Sequence, residues 1–394
     1  MTLTDICERI NFDEVDEPLA RAAIQYIMSK CSSFMCLSHA CRLNKNSLCG
    51  EIINFKIKVD LPQRPSYPIR AEEDVAVCFW KNRNFAPMVF VLRDDFPDTP
   101  HQVLVPDGWP AAICIDDRPW QDVRSNYTAA ELISRILVWF NKACEGELHG
   151  ADQPFDPVFM HDGSRQVVLS SGGHQAIRRD ETVRVWKLDE AASFLLLTSA
   201  DVGRERQPLN VLPVTLSVQP ERMKRIRTAP NNVADLIDLL KDRGADLTAK
   251  LRDQILQWLD RGESQQEEWI TCILAELPQI HPSTGLVGAG YPLAFVCPVH
   301  PGVIGQALGF LASSDAETDS QVGYVRLFGQ VIPDQTKLEG IPVQYAPVHF
   351  EMDAERASVL AGRDGPDLRK ILLIGAGSLG SSVAEILVRE GLFR

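Results

Sequence analysis

The sequence predicts an α+β protein in three sections, and three observations carry the prediction. Over the first 160 residues the hydrophobic period runs helical, then alternating, then helical again. The middle of the chain mixes both periods and holds no chemical motif. Near the end, a glycine-rich turn lies directly between a short apolar run and an amphipathic one.

The first section is read element by element. Asp16, Glu17 and Pro18 form a helix start, after which Leu19, Ala22, Ala23, Tyr26 and Ile27 recur at helical spacing. From Glu51 the period changes to two: Ile53, Phe55, Ile57 and Val59 alternate with Asn54, Lys56, Lys58 and Asp60, as in a half-buried strand. Val75, Val77 and Phe79 alternate again, and Met88 to Leu92 is a continuous apolar run that suits a buried strand. One helix followed by successive strands predicts an antiparallel meander. A loop-rich stretch from Arg93 to Tyr127 holds Pro97, Pro100, Pro106, Gly108, Pro110 and Pro119. Thr128-x-x-Glu131 then forms a capping box. Leu132, Ile133, Ile136, Leu137, Phe140, Ala143 and Cys144 give the apolar stripe of a long helix stopped at Gly146, so the first domain covers residues 1–160.

Composition bounds the function. A length of 394 residues suggests two or three domains, and 45% hydrophobic with 24% charged residues is ordinary for a globular chain with real cores. The net charge of −13 disfavours nonspecific binding to nucleic acid or anionic membrane, which need a basic face. No apolar run reaches the roughly 18 residues of a membrane span. The acidic N-terminus does not resemble a signal peptide, and a cytoplasmic location is expected. The ten cysteines are spread irregularly. Cys31, Cys36, His39, Cys41 and Cys49 cluster, but without the paired spacing of zinc sites, so packing and strand-edge roles are expected and no metal site is predicted.

Residues 165–360 form a second section, a mixed α/β connecting or docking domain of unassigned role. Asn232 to Leu259 reads as two helices broken at Gly244. Trp269 to Leu277, Leu293 to Cys297 and Val322 to Ile332 read as strands. In the third section, 366–394, Lys370 to Ile374 reads as a buried strand and Ser381 to Glu390 as a helix, with Gly375-Ala376-Gly377-Ser378-Leu379-Gly380 between them. In this context Gly375 permits the tight turn, Gly377 a close approach of backbone to phosphate, and Gly380 the packing of helix on strand. This is the first βα unit of a Rossmann-like domain.

The chemical candidates lie in Asp95 to Trp120. Read as a short extended piece, Ala111 to Asp116 puts Ile113 and Ile115 on one face and Cys114 on the other, beside Ala112 and Asp116. A thiol with small and charged neighbours suits a reactive cysteine better than a packing one. The order of the pieces then carries a resemblance. A helix, a strand meander, Phe96-Pro97 and Pro100, a proline-rich loop, Ile113-Cys114-Ile115-Asp116, Trp120 and the Thr128 helix together resemble ubiquitin-conjugating enzymes, over residues 15–160. The segment Gly146 to Pro157 is similar to that of bacterial relatives fused to adenylating domains, a type found in anti-phage defence operons. Lys370 to Leu392 resembles the start of ThiF and ubiquitin-activating enzymes.

These resemblances imply a conjugating-type transferase. Cys114 would be the nucleophile that accepts a ubiquitin-like or other C-terminal glycyl modifier as a thioester and passes it to an amine or other nucleophile on a target protein. Gly375, Gly377 and Gly380 would begin an ATP phosphate loop, with ATP and magnesium the cofactors of a complete fusion. The chain stops before the rest of such a pocket, so it is expected to be a fragment that adenylates nothing by itself. The sequence departs from the family at its His-Pro-Asn stretch, which here reads Val105-Pro106-Asp107-Gly108. Asp107 is a candidate to orient or deprotonate an amine, or Asp107-Gly108 is simply a turn. His101 is a candidate donor near the site or an exposed loop histidine, Asp116 a handler of the amine proton or a solvated carboxylate, and His149 a local structural hydrogen bond. Two other functions stay open: an inactive conjugating-like binding module, supported by the missing Asn, and a fragment of a nicotinamide-linked oxidoreductase, supported only by the glycines.

Overall fold

The computed structural model describes residues 7–45, 48–106, 108–160, 165–170, 172–173, 176, 183–187, 194–198, 209–262, 269–288, 292–314, 323–329, 332–352, 354–360, 362, 375 and 377–389. They form two compact units. The first takes Met1–Met160 together with Pro220–Thr228 and Pro278–Ala289, and the second takes His161–Gln219, Ala229–Leu277 and Gly290–Arg394.

In the first unit, β1 (Cys7–Ile10), β2 (Met35–Lys45), β3 (Leu48–Lys58), β4 (Glu72–Trp80) and β5 (Met88–Val91) follow one another as an antiparallel meander. Two short strands, β6 (Gln102–Val103) and β7 (Ala111–Ile113), extend it in the order β1-β2-β3-β4-β5-β7-β6. The meander is therefore longer at both edges than the alternation predicts. In β2, a register shift between Leu37 and His39 breaks the period of two, so no single face reads cleanly along the sequence.

Helices α1 (Pro18–Tyr26) and α3 (Ala129–Glu145) pack on one face of the sheet, and α2 (Trp120–Val123) is a single turn between β7 and α3. Pro18 occupies the first turn of α1, and the Glu17 carboxylate accepts the Ala20 amide at 2.7 Å. Thr128 caps α3 by accepting the Glu131 amide, and Gly146 closes it in the left-handed region at φ +80°. Only half of the predicted capping box has its usual bonds. The Glu131 carboxylate is drawn instead to Arg118 and Arg135.

The sheet is apolar on both faces. Ile24, Phe55, Val77, Val89, Leu132, Ile136 and Phe140 belong to the main core under the helices. Cys41, Leu43, Ile52, Ala76, Cys78, Phe90 and Ala112 form a second core on the opposite face, with Val103 and Trp109 packed against it. The alternation read at Val75, Val77 and Phe79 holds, but the residues between them, Ala76 and Cys78, are apolar as well because they enter the second core. Beside it, Glu73 is 1% exposed and receives Arg93 Nε at 2.9 and 3.1 Å and the Arg70 amide at 2.8 Å. Arg93 also donates to the carbonyls of Pro68 and Asp95 and lies over the Phe96 ring, 5.0 Å from its centre. A buried ion pair thus anchors the start of the proline-rich loop.

In the second unit, seven strands close into a barrel, in the order Phe194–Thr198, Gln166–Leu169, Gln344–Phe350, Pro292–Cys297, Trp269–Glu276, Leu209–Ser217 and Val183–Lys187. The two predicted helices run Val233–Asp242 and Leu247–Asp260, with Gly244 between them at φ +76°. Of the strand read over Val322 to Ile332, the described residues form Gly323–Arg326, which pairs with Leu311–Ser314 outside the barrel, while Val322, Gln330 and Val331 lie outside the described residues. The terminal helix, Ser378–Arg389, begins three residues before its predicted start, and the predicted strand Lys370 to Ile374 lies outside the described residues. No helix among the described residues is long and apolar enough to cross a membrane.

Candidate active site

Cys114 is the first residue beyond β7. Its amide donates to the His101 carbonyl at 2.7 Å, which continues the register that pairs Gln102 with Ile113. Ala112 enters the second core and Ile113 the main one, while Ile115 packs at the edge of the main core. The predicted split of faces leaves Cys114 half-buried, on neither core. Its thiol donates to the Asp116 carbonyl at 3.5 Å. Burial pushes the thiol above its ordinary value, and the carboxylates of Asp117, Asp116 and Asp156 push the same way.

Four charged groups hold the chain just after Cys114. Asp116 binds Arg118 through both carboxylate oxygens at 2.8 and 2.9 Å, and Arg135 Nε lies 3.1 Å away. Both guanidinium groups also reach Glu131 on α3. Such partly exposed pairs contribute only ~0.2–1 kcal/mol each, so their main effect is geometric: they tie the Cys114 loop to a rigid helix. Arg118 in particular keeps the Asp116 carboxyl below the usual carboxylate range. Trp120 donates its indole N–H to the Arg83 carbonyl at 2.9 Å and meets the Tyr127 ring edge-on at 5.1 Å. Cys114 lines a cavity of about 780 Å³ walled by Trp80, Phe85, Met88, Trp120 and Tyr127.

A histidine group lies beside the same loop. His101 is the only described non-glycine residue in the left-handed region, at φ +56°, a conformation that costs about 1–3 kcal/mol and clusters at functional sites. Its ring centre is 5.7 Å from that of His149, which is 5.1 Å from that of His281. His149 is 2% exposed, and its Nε2 lies 2.8 Å from the Pro154 carbonyl. His281 accepts the Ser283 and Thr284 amides on Nδ1, while its Nε2 faces the Gln153 carbonyl at 3.3 Å. Burial lowers the His101 imidazole below its ordinary value, against the opposing pull of Asp156. The loop carrying His101 is held from Pro220–Thr228 as well, because Asp98 pairs with Arg225 at 2.8 Å and with Arg227.

Among the candidates, Cys114, His101 and Asp116 come together here. His101 is half-buried rather than an exposed loop residue, and Asp116 is committed to two arginines. His149 makes the local hydrogen bond that was predicted and also faces two further histidines. Asp107 lies outside the described residues. Gly375 adopts φ +94°, Gly377 is exposed, and a Cβ on Gly380 would lie 2.1 Å from the Gly375 carbonyl oxygen, so the turn accepts only glycine there. The residues that sequence reasoning missed are His281, Arg225 and Arg227. Arg225 and Arg227 are more than a hundred positions from Asp98, and His281 is as far from His149 and Gln153, so no local pattern marks their place beside this loop.

The raised thiol has a direct consequence. Iodoacetamide reacts with thiolate, so Cys114 is expected to alkylate more slowly at neutral pH than a free thiol of pKa about 8.5, and its rate should still be climbing where the free thiol has levelled off. Mass-resolved alkylation across pH measures this, and a midpoint at or below the free-thiol value would contradict it.

The comparisons with known proteins bear on this unit. Residues 47–174, which include β3 to α3 and Cys114, match the model of prokaryotic E2 family A. No curated protein matches the chain. The match supports a bacterial E2-like domain, and with it a ubiquitin-conjugating type of activity that engages a modifier protein and a target.

Proposed function

We propose that this chain is an acyl carrier in which Cys114 takes a ubiquitin-like or other C-terminal glycyl protein as a thioester and hands it to an amine on a target. The observation that carries the proposal is the thiol itself: half-buried, held at the mouth of a strand by the His101 carbonyl, and opening on an apolar cavity within an E2-like unit. A thioester needs a sulfur that is reachable yet shielded from bulk water, since water competes with the acceptor. The cavity of about 780 Å³ beside the sulfur offers the acyl tail an apolar bed. Arg118 and Arg135 hold Asp116, and with it the loop, so that the sulfur keeps its place through both transfer steps.

The acyl group reaches Cys114 from an activating domain, in cis or in trans, that uses ATP and magnesium. The glycine turn before Ser378–Arg389 supports the assignment of Gly375, Gly377 and Gly380 to the phosphate loop of such a domain, because Gly380 is packed against the Gly375 carbonyl and a helix N-terminus favours an anion. The test is to incubate the chain with a complete cognate activating enzyme, ATP, magnesium and a modifier ending in glycine, and to read intact mass. A single adduct that thiol reductant removes is expected. If none forms with the true partner set, the carrier assignment falls and a binding role replaces it.

A further inference from the structure

We propose that His101 and His149 form the proton-accepting pair of the Cys114 site, with His101 Nε2 taking the proton that the attacking amine sheds and His149 Nδ1 holding it in place. The proposal rests on the carrier role above. It begins from two orphaned atoms: among the described residues, neither His101 Nε2 nor His149 Nδ1 has a hydrogen-bond partner, although both are buried. Burying an imidazole nitrogen unpaired is costly, and two such atoms on neighbouring rings call for an explanation. The His149 tautomer supplies one. A carbonyl only accepts, so Pro154 fixes the hydrogen of a neutral His149 on Nε2 and leaves the lone pair on buried Nδ1. That lone pair belongs to a ring 5.7 Å from the ring of His101. The two nitrogens are not hydrogen-bonded to each other at rest; a ring rotation that joined them through one proton would satisfy both atoms at once.

The surroundings suit a proton that arrives and leaves. Burial keeps His101 free of the proton at rest, while the Asp156 and Asp117 carboxylates favour the charged form once it appears; His149 and Lys142 oppose it. The same Asp156 and Asp117 act on the Cys114 thiol, and the His101 carbonyl binds the Cys114 amide, so acceptor and sulfur share one neighbourhood. His281 touches His149 from the far side with both its nitrogens already engaged, and so acts as a support rather than a relay. Asp116 is occupied by Arg118 and Arg135.

The step balances without a further reactant. The amine nitrogen bonds to the thioester carbonyl carbon, and the carbon–sulfur bond breaks with its electron pair going to Cys114. One amine proton passes to His101 and is then returned to the thiolate, which regains its hydrogen because burial favours the neutral thiol. Amide and free thiol are the products. In this scheme His101 is the base and His149 a positioning residue.

The experiment charges Cys114 of the full chain from a synthetic peptide thioester ending in glycine and follows discharge to free L-lysine by mass, across about pH 5 to 8. Wild type should show a rate inflection below the ordinary histidine value of about 6.5. His101→Asn, whose side chain tolerates the left-handed region, should slow discharge by on the order of a hundredfold and lose that inflection. His149→Gln should shift the inflection. Methoxyamine, a weakly basic nucleophile that is largely unprotonated in this range and loses its proton readily to water after attack, should discharge both variants at nearly the wild-type rate. Equal losses with lysine and methoxyamine would mean a structural role only and would overturn the proposal, as would an unchanged pH profile in both variants. A wild type that cannot be charged at all would overturn both the proposal and the carrier role beneath it.

Discussion

Cys114→Ala is expected to abolish the modifier adduct, while Ala substitutions at the other nine cysteines leave it in place. The expectation follows from position. Cys31, Cys41, Cys78, Cys144, Cys272 and Cys297 are buried, and burial pushes Cys78 and Cys272 up to about 12 and Cys144 up to about 11. Burial keeps all six out of reach, and the raised thiols are also un-ionised at neutral pH; Cys41, which a hydrogen bond from Cys7 holds down to about 7, is excluded by its burial alone. Cys7, Cys36 and Cys49 are more exposed, and of these only Cys49 lines the cavity beside Cys114. Cys114→Ser should still accept the acyl group, more slowly, and the ester should resist thiol reductant, because an alkoxide is both harder to form and a poorer leaving group than a thiolate. A half-buried thiol contributes little packing, so Cys114→Ala should cost roughly 1 kcal/mol of stability or less. Intact mass after charging, with and without reductant, reads all of these outcomes. A Cys114→Ala chain that still charges would remove the assignment.

Glu73→Ala should destabilise the first unit by about 3–5 kcal/mol, the cost of breaking a buried pair and leaving one charge uncompensated. Arg93 is nearly as buried as Glu73, with side-chain exposures of 10% and 0%, so its guanidinium cannot turn to solvent without dragging the chain after it. Against a typical total stability of 5–15 kcal/mol, that loss is a large share. Replacing both partners, as in Glu73→Leu with Arg93→Met, should recover much of it, since a buried pair is often matched by well-packed apolar groups. Urea unfolding of the two variants and wild type measures both effects. A Glu73→Ala loss under about 1 kcal/mol would show the pair to be far more solvated than its burial implies. Arg93 binds the Asp95 carbonyl and covers Phe96, so Glu73→Ala should also loosen the loop that leads to His101.

Much of the first unit was legible because it is locally determined. The helix starts at Pro18 and Thr128, the stop at Gly146 and the alternation through β3 and β4 each depend on groups a few positions apart. Cys114 stood out for the same reason: its neighbours at positions two away are Ala112 and Asp116, and the structure leaves it clear of both cores. Strand β2 was not legible, because the bulge near Leu37 reverses the phase and both faces are buried. The role of Glu131 was also hidden. Its spacing from Thr128 suggests a capping bond, but two nearby guanidinium groups compete for the carboxylate and win it.

The sequence by itself determined the period of each element, the ends of the main helices and the glycine turn, and it singled out Cys114 as the candidate nucleophile. All of these arise from backbone geometry and neighbouring side chains, whose interactions repeat every two or every 3.6 residues. Only the tertiary structure decided that the sheet carries two cores, that seven strands of the second unit close into a barrel, and that His101, His149 and His281 meet beside Cys114. His281 and its partner Gln153 are 128 positions apart. Contacts of that span leave no periodic trace in the chain, because they depend on strand register and on which buried polar atoms remain to be satisfied once the cores have packed.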